Sequence, residues 1–400
     1  MTPRLLVLGG GIVGLSCAYE ALKQGWQATV VDRGELGGQA SGAAAGMLAP
    51  YYENGDTPDA FFRLCVDSFA AYPAWTGEIE ADSGMHAGFV RSGSVHVASR
   101  EADRLSLLGR MAWQTASGAR MEWLDESALR RAEPSLAPGL AGALYCPDEA
   151  HVQAPLLVRA LALACERRGA RLLPNAGELT AVEGGQAGSI SVQYEAYGRI
   201  DADAVCCCLG AWSGRLAAWL GLRIPVHPIR GQICAYDPAP AALRHLVFGP
   251  RSYWASKPDG SLVCGASEDE AGFDRKVTAG GIGRLVRAGE RMLPALSGVS
   301  PARSWAGLRP ATLDGRPLIG SVPDRPAVFM AAGHHRNGIL LSPATAAACG
   351  EWLAAGGGAL RDARWQAFRP SRFGSDAELR SEEAQLPSRR GGSGQEARHL

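Results

Sequence analysis

The chain has no surplus of charge. Its 400 residues carry 40 Lys plus Arg against 40 Asp plus Glu. Without a basic excess there is no field to gather nucleic acid or an anionic membrane surface. It also lacks an apolar run long enough to span a membrane. The longest uncharged stretch, Leu36 to Tyr52, is interrupted by Gly42, Gly46 and Pro50. The first apolar run is short and leads straight into a glycine motif, which argues against a secretory leader and for a cytoplasmic protein. Ten cysteines are present without a CxxC pair, so neither a zinc ribbon nor a disulfide framework is indicated. Cys206, Cys207 and Cys208 lie in a strand-like apolar run, where cysteine serves as a small hydrophobe. No metal site is expected. No repeat period is visible that would signal a solenoid.

What is present begins at the N-terminus. Arg4-Leu5-Leu6-Val7-Leu8 is a short apolar run, and it breaks into Gly9-Gly10-Gly11-Ile12-Val13-Gly14. A helix-like stretch follows to Gln24, then Ala28-Thr29-Val30-Val31 and Asp32. Strand, glycine turn, helix, strand and acid form the dinucleotide-binding βαβ unit. Gly9 permits the tight turn, Gly11 lets the backbone approach a pyrophosphate, and Gly14 lets the helix pack on the sheet. The helix N-terminus offers N–H groups and partial positive charge to phosphate. Asp32 suits an adenosine ribose and would repel a 2′-phosphate. It does not separate FAD from NAD.

Four hundred residues imply two domains. The small residues of 36–52 would let backbone lie against a planar ligand. Apolar spacing predicts helices over 60–82, 101–118, 156–168, 281–293 and from Gly338 to Ala355. Strands are expected over 88–98, 171–173, 205–209, 226–265 and 305–332. From Pro370 onward polar residues dominate, which predicts a disordered tail over 370–400.

Two further runs carry more specific information. One is Trp305-Ala306-Gly307-Leu308-Arg309-Pro310-Ala311-Thr312-Leu313-Asp314-Gly315-Arg316-Pro317-Leu318-Ile319-Gly320. The other is Gly333-His334-His335-Arg336-Asn337-Gly338-Ile339-Leu340-Leu341-Ser342-Pro343-Ala344-Thr345. With the N-terminal motif and the Ser41–Pro50 run, they resemble the glycine-oxidase branch of the D-amino-acid oxidase family across residues 4–355. That branch includes the FAD enzyme that supplies the imine of glycine for the thiazole ring of thiamin.

The resemblance implies an α/β fold, with a Rossmann-like FAD domain interleaved with an antiparallel-sheet substrate domain. Residues 1–85, 150–220 and 300–365 would form the first, and 86–149 and 221–299 the second. Beside the motif glycines Gly9, Gly11 and Gly14, it assigns Ile12, Val13, Asp32, Arg33, Ala40, Ser41, Ala45, Gly46, Met47 and Glu178 to FAD. His334, His335, Arg336, Asn337, Gly338, Ile339 and Leu340 would close over its far side. Arg309 would hold a substrate carboxylate, with Arg336 near it and Tyr253 at the pocket edge. Related sarcosine oxidases attach FAD through a C-terminal cysteine. The stretch from Trp305 to Asn337 has none, so non-covalent FAD is expected.

The implied reaction is oxidative deamination of glycine, sarcosine or D-alanine by hydride transfer to flavin. Oxygen would then reoxidise the flavin to give peroxide, and the imine would yield glyoxylate or feed thiazole synthesis. No side chain need act as a base. A homo-oligomer is compatible with the family. Rival readings are a D-amino-acid dehydrogenase with another electron acceptor, a non-catalytic flavin-binding subunit, and an NAD-dependent dehydrogenase. Two departures bear on substrate choice. Trp254-Ala255-Ser256-Lys257 follows Tyr253 where the family has an apolar pair and Pro-Arg, and Glu268 follows Gly265-Ala266-Ser267 at a position that can border substrate.

Overall fold

The computed structural model describes residues 2–54, 58–185 and 188–375. Its first layer is a six-stranded sheet in the order Leu318–Val322, Arg325–Ala332, Ala204–Cys207, Arg4–Leu8, Gln27–Val31 and Arg171–Leu173. All neighbours are parallel except the edge strand Leu318–Val322. Strand alternation sends side chains to two different cores. Leu5, Val7, Cys206 and Cys208 pack against the helices Ile12–Lys23, Ala60–Ser83, Ala154–Arg167 and Ser342–Ala354. Leu6, Leu8, Val205 and Cys207 pack against a three-stranded antiparallel sheet, Leu179–Gly184, Ile190–Tyr194 and Gly198–Ala202. Burial on both faces explains why these strands read as unbroken apolar runs.

The second large sheet has eight strands, ordered Arg303–Thr312, Val226–Tyr236, Leu262–Gly265, Tyr253–Ser256, Leu246–Phe248, Ser94–Ala98, Gly142–Cys146 and Glu122–Leu124. It is antiparallel apart from one pair, Leu246–Phe248 beside Ser94–Ala98. Arg303–Thr312 pairs over its whole length with Val226–Ala235, although the expected division places 300–365 with the FAD domain. Tyr253 packs on one face with Ala45 and Ile233. Trp254 points to the other face, against the helix Ala279–Met292.

Two expectations are corrected. The last helix begins at Ser342, not Gly338. Pro343 sits in its first turn, where a missing N–H costs nothing. Before it, Leu341 N–H donates to Asn337 O at 2.8 Å and closes a separate turn. The tail is ordered for longer than its composition suggests. Pro370–Phe373 forms a 3-10 turn. Pro370 is buried there, the turn packs against the edge strand Leu318–Val322, and Phe373 joins the core on that side of the six-stranded sheet. Arg372 clamps Asp314 through Nε at 2.8 Å and Nη2 at 3.0 Å. The remaining tail, 376–400, lies outside the described residues.

Candidate active site

A cavity of about 490 Å³ runs between the two large sheets. One end is built by the glycine turn. A Cβ on Gly9 would stand 2.3 Å from Cys208 O, and one on Gly14 would stand 1.9 Å from Gly9 O. These two glycines therefore let strand, turn and helix close on one another. Gly11 differs, because a Cβ there would meet only Ser41 Oγ, at 3.1 Å. Its open side is the cavity. Ile12 N–H, at the helix start, donates to Ser41 Oγ at 2.9 Å.

Asp32 accepts from Gly10 N–H at 2.8 Å and Gly34 N–H at 2.9 Å, one bond to each oxygen. Burial raises its pKa, and those two bonds oppose the shift. A carboxylate has about four lone-pair sites, so capacity remains for ribose hydroxyls. Past Asp32, Arg33 donates to Glu178 at 2.6 Å, and Arg215 pairs with the same carboxylate. Trp212 lies under the Arg33 guanidinium at 5.2 Å. The cavity thus has a phosphate-sized bare turn, a ribose acceptor and a flat aromatic wall in sequence. These features fit an adenine dinucleotide.

The middle is lined by Ala40, Ser41, Ala43, Ala44, Ala45, Gly46 and Met47. The second large sheet presses on this segment through its edge strand Arg303–Thr312. Trp305 Nε1 donates to Ala43 O at 2.9 Å, and a Cβ on Gly307 would lie 2.6 Å from Ala43 Cβ. Lys257 reaches it from the second sheet. Its Nζ donates to Ala45 O at 2.6 Å and Val152 O at 3.1 Å. Burial pushes this lysine down to about 7. The departure at Lys257 is thereby given a place: it braces the backbone that lines the cavity.

The far end holds Tyr253, Arg309, His335 and Arg336. Arg309 is the notable group. Its Nη1 donates to Ser267 O at 2.9 Å, and no carboxylate pairs with it among the described residues. Burial lowers its pKa. The guanidinium lies over Gly231, where a Cβ would come within 2.4 Å of Nη1. Tyr253 lies over Gly265 in the same manner, its Oη 2.2 Å from an added Cβ. Two bare backbone positions thus make room for the two side chains. A buried guanidinium without an anion is costly unless a ligand supplies one.

Arg336 is differently placed. Its Nε and Nη2 meet Glu53 at 3.1 and 3.2 Å, and its Nη1 meets Glu268 at 3.1 Å. Glu53 first, then Glu268, raise its pKa against the effect of burial. His335 has positive φ, at 47°, and its N–H donates to Pro310 O at 2.8 Å. Burial first, then Arg309 and Arg336, hold its imidazole down to about 4. It is neutral at pH 7.

Most residues singled out in the sequence line this one cavity, and three do not. Gly14 packs behind the turn, as its steric role requires. Asn337 closes the turn to Leu341, and Leu340 is 1 % exposed within the helix-side core. Residues not singled out include Glu53, Arg215 and Gly231. All ten cysteines are free and buried. Cys17, Cys206 and Cys208 bring their sulfurs within 4.8 Å of one another behind the glycine turn. No described helix is long and apolar enough to cross a membrane.

A bare glycine turn, a helix opening on a shared cavity and an acid ending the second strand define a dinucleotide-binding protein. Residues 4–352 match the FAD dependent oxidoreductase family, and the chain belongs to that family. It is 35% identical over 342 residues to the glycine oxidase of Geobacillus kaustophilus, covering 85% of this chain and 89% of that one. The bifunctional protein ThiO/ThiG of Synechocystis is 33% identical over 354 residues, covering 86% of this chain and 51% of its own length. The crystal structure of the Geobacillus kaustophilus glycine oxidase superposes with a TM-score of 0.86 at 32% identity, covering 93% of this chain and 99% of that one. The chain is an FAD-dependent amine oxidoreductase similar to the glycine oxidases.

Proposed function

We propose that the protein oxidises glycine or a small amine such as sarcosine or D-alanine, with oxygen as the electron acceptor and peroxide as a product. The imine hydrolyses to glyoxylate and ammonia or passes to thiazole formation for thiamin, in the cytoplasm. The observation that carries the substrate class is Arg309. It is a half-buried guanidinium without a carboxylate partner among the described residues, and it faces the cavity that the glycine turn opens onto. A guanidinium offers two parallel donors to a carboxylate. Each bond to a charged group contributes roughly 1.5–3 kcal/mol, enough to orient a ligand as small as glycine.

FAD, held non-covalently, would lie along Gly11, Ile12, Asp32, Arg33, Ser41, Ala45, Gly46 and Met47, with His334 to Ile339 on its far side. When bound, it supplies a two-electron acceptor that no side chain offers. The chain's own residues orient and enclose. Arg309 fixes the carboxylate and so directs the α-carbon. Tyr253 closes the pocket edge. His335 stays neutral and adds no third cation beside Arg309 and Arg336. Glu53 keeps Arg336 from competing for the substrate carboxylate.

The test is anaerobic mixing of the holoenzyme with glycine, then admission of air. Bleaching of the flavin followed by recovery with peroxide is expected. Bleaching without fast recovery would mean a dehydrogenase. A flavin that stays oxidised with glycine, sarcosine and D-alanine would remove the small-amine reading.

A further inference from the structure

We propose that Glu268 is a specificity-determining residue that turns the site against substrates carrying a second carboxylate. The inference rests on the reading of Arg309 as the holder of the substrate's α-carboxylate.

Five charged groups line this end of the cavity: Glu53, Arg251, Glu268, Arg309 and Arg336. Arg336 is engaged on three donors, two toward Glu53 and one toward Glu268. The Glu53 side chain is 9 % exposed and the Glu268 side chain 51 %. Glu53 alone balances Arg336, so the trio carries one negative charge in excess, and the excess sits on Glu268. Arg309 is the deep cation left over, and an α-carboxylate neutralises it. Tyr52, Tyr253 and the neutral His335 add no charge at pH 7. Arg251 and Glu268 are both exposed and both screened by water. Glu268 is fixed at the site by Arg336 Nη1 at 3.1 Å, whereas no ion pair fixes Arg251 among the described residues.

A substrate already bound through one carboxylate therefore meets like charge if it carries another. An ammonium or a neutral substituent meets no such opposition. Discrimination of this kind works by repulsion of the wrong partner as well as attraction of the right one. Glycine, sarcosine and D-alanine lie on the accepted side. Iminodiacetate and D-aspartate lie on the rejected side.

Sarcosine and iminodiacetate make a suitable pair, since both are N-substituted glycines and one adds a carboxylate. The holoenzyme and its Glu268→Gln variant would be compared by the ratio of kcat/KM for iminodiacetate to that for sarcosine. Glutamine keeps an oxygen for Arg336 Nη1 and removes the charge. The ratio is expected to rise roughly tenfold, as for one unit charge within ~8 Å under partial screening. The gain should shrink at 1 M salt. A change below twofold would overturn the proposal. Turnover-independent binding of acetate and malonate, followed by the flavin spectrum, gives the second readout. Malonate should gain on acetate in the variant, and equal affinities in both proteins would sink the idea. Failure of every amine to reduce the wild-type flavin would instead refute the proposed function.

Discussion

Replacing Arg309 with methionine separates binding from stability. The guanidinium donates within the protein to Ser267 O at 2.9 Å, is half-buried, and pairs with no carboxylate among the described residues. On the proposed function its remaining donors hold the substrate carboxylate. Loss of a two-bond contact to a carboxylate costs about 3 kcal/mol at the low end. At 1.36 kcal/mol per decade this is a fall in kcat/KM of roughly 150-fold. The fold should not suffer to match. Methionine fills the space of the arginine stem, and a partly desolvated cation without a carboxylate partner is removed. Melting temperature of the apoprotein is therefore expected to hold or rise, while flavin content stays at one per chain. The assay is steady-state oxidation of glycine by flavin-loaded protein, with a thermal melt of each variant. Kinetic constants within twofold of wild type would refute the assignment of Arg309. A large fall in melting temperature would show that the side chain is structural.

Gly231→Ala puts a methyl 2.4 Å from Arg309 Nη1 and 2.5 Å from Nη2, so the guanidinium must move. An ångström of misplacement can cost about 100-fold, and a rise in KM with flavin retained is expected; unchanged KM would mean that the arginine has room elsewhere. At Gly11 an added Cβ meets only Ser41 Oγ within the protein, so Gly11→Val should fold but lose FAD, and a yellow, flavin-loaded variant would place the pyrophosphate elsewhere. Acidification should destabilise the fold. Burial holds His334 and His335 down to about 4 and His151 to about 3. Between those values and an ordinary pKa of 6.5 the unfolded chain binds more protons, so stability rises with pH there. Each imidazole contributes about 1.4 kcal/mol that is present above pH 6.5 and lost by pH 5.5. Denaturant unfolding at both pH values checks this, and equal stability would contradict it.

The N-terminal unit was legible because each of its parts is local. A turn between a strand and a helix demands glycine at fixed spacing, and the acid that ends the next strand lies within the same 32 residues. The GlyHisHisArgAsnGly run and the LeuArgPro run were legible for a different reason, since they resemble a family. Resemblance gave the identity of the lining side chains and not their partners. Arg336 shows the difference. Its neighbour in sequence is His335, yet its charge is set by Glu53 and Glu268, which lie 283 and 68 residues away in the chain. No spacing rule connects such positions before the two sheets close on each other. The tail erred in the same way. Polar composition says little about Phe373 once the edge strand Leu318–Val322 and the core beneath it offer the turn a dry surface.

One signal was present in the sequence and could have been read. Gly231, Gly265 and Gly307 interrupt strands that are otherwise rich in large residues, and glycine weakens a strand unless something must approach its backbone. Each of the three does admit an approach: Arg309 over Gly231, Tyr253 over Gly265, and Ala43 against Gly307. Register makes the relation general. Gly231 pairs with Gly307, and Ile233 and Tyr253 both pair with Gly265. The bare positions therefore form a connected patch across three adjacent strand pairs, on the face that carries Ala45, Ile233 and Tyr253. A sheet that packed only against helices would fill that patch with branched side chains. An unfilled patch beside an arginine that no carboxylate pairs among the described residues is the feature on which the proposed flavin and carboxylate sites rest.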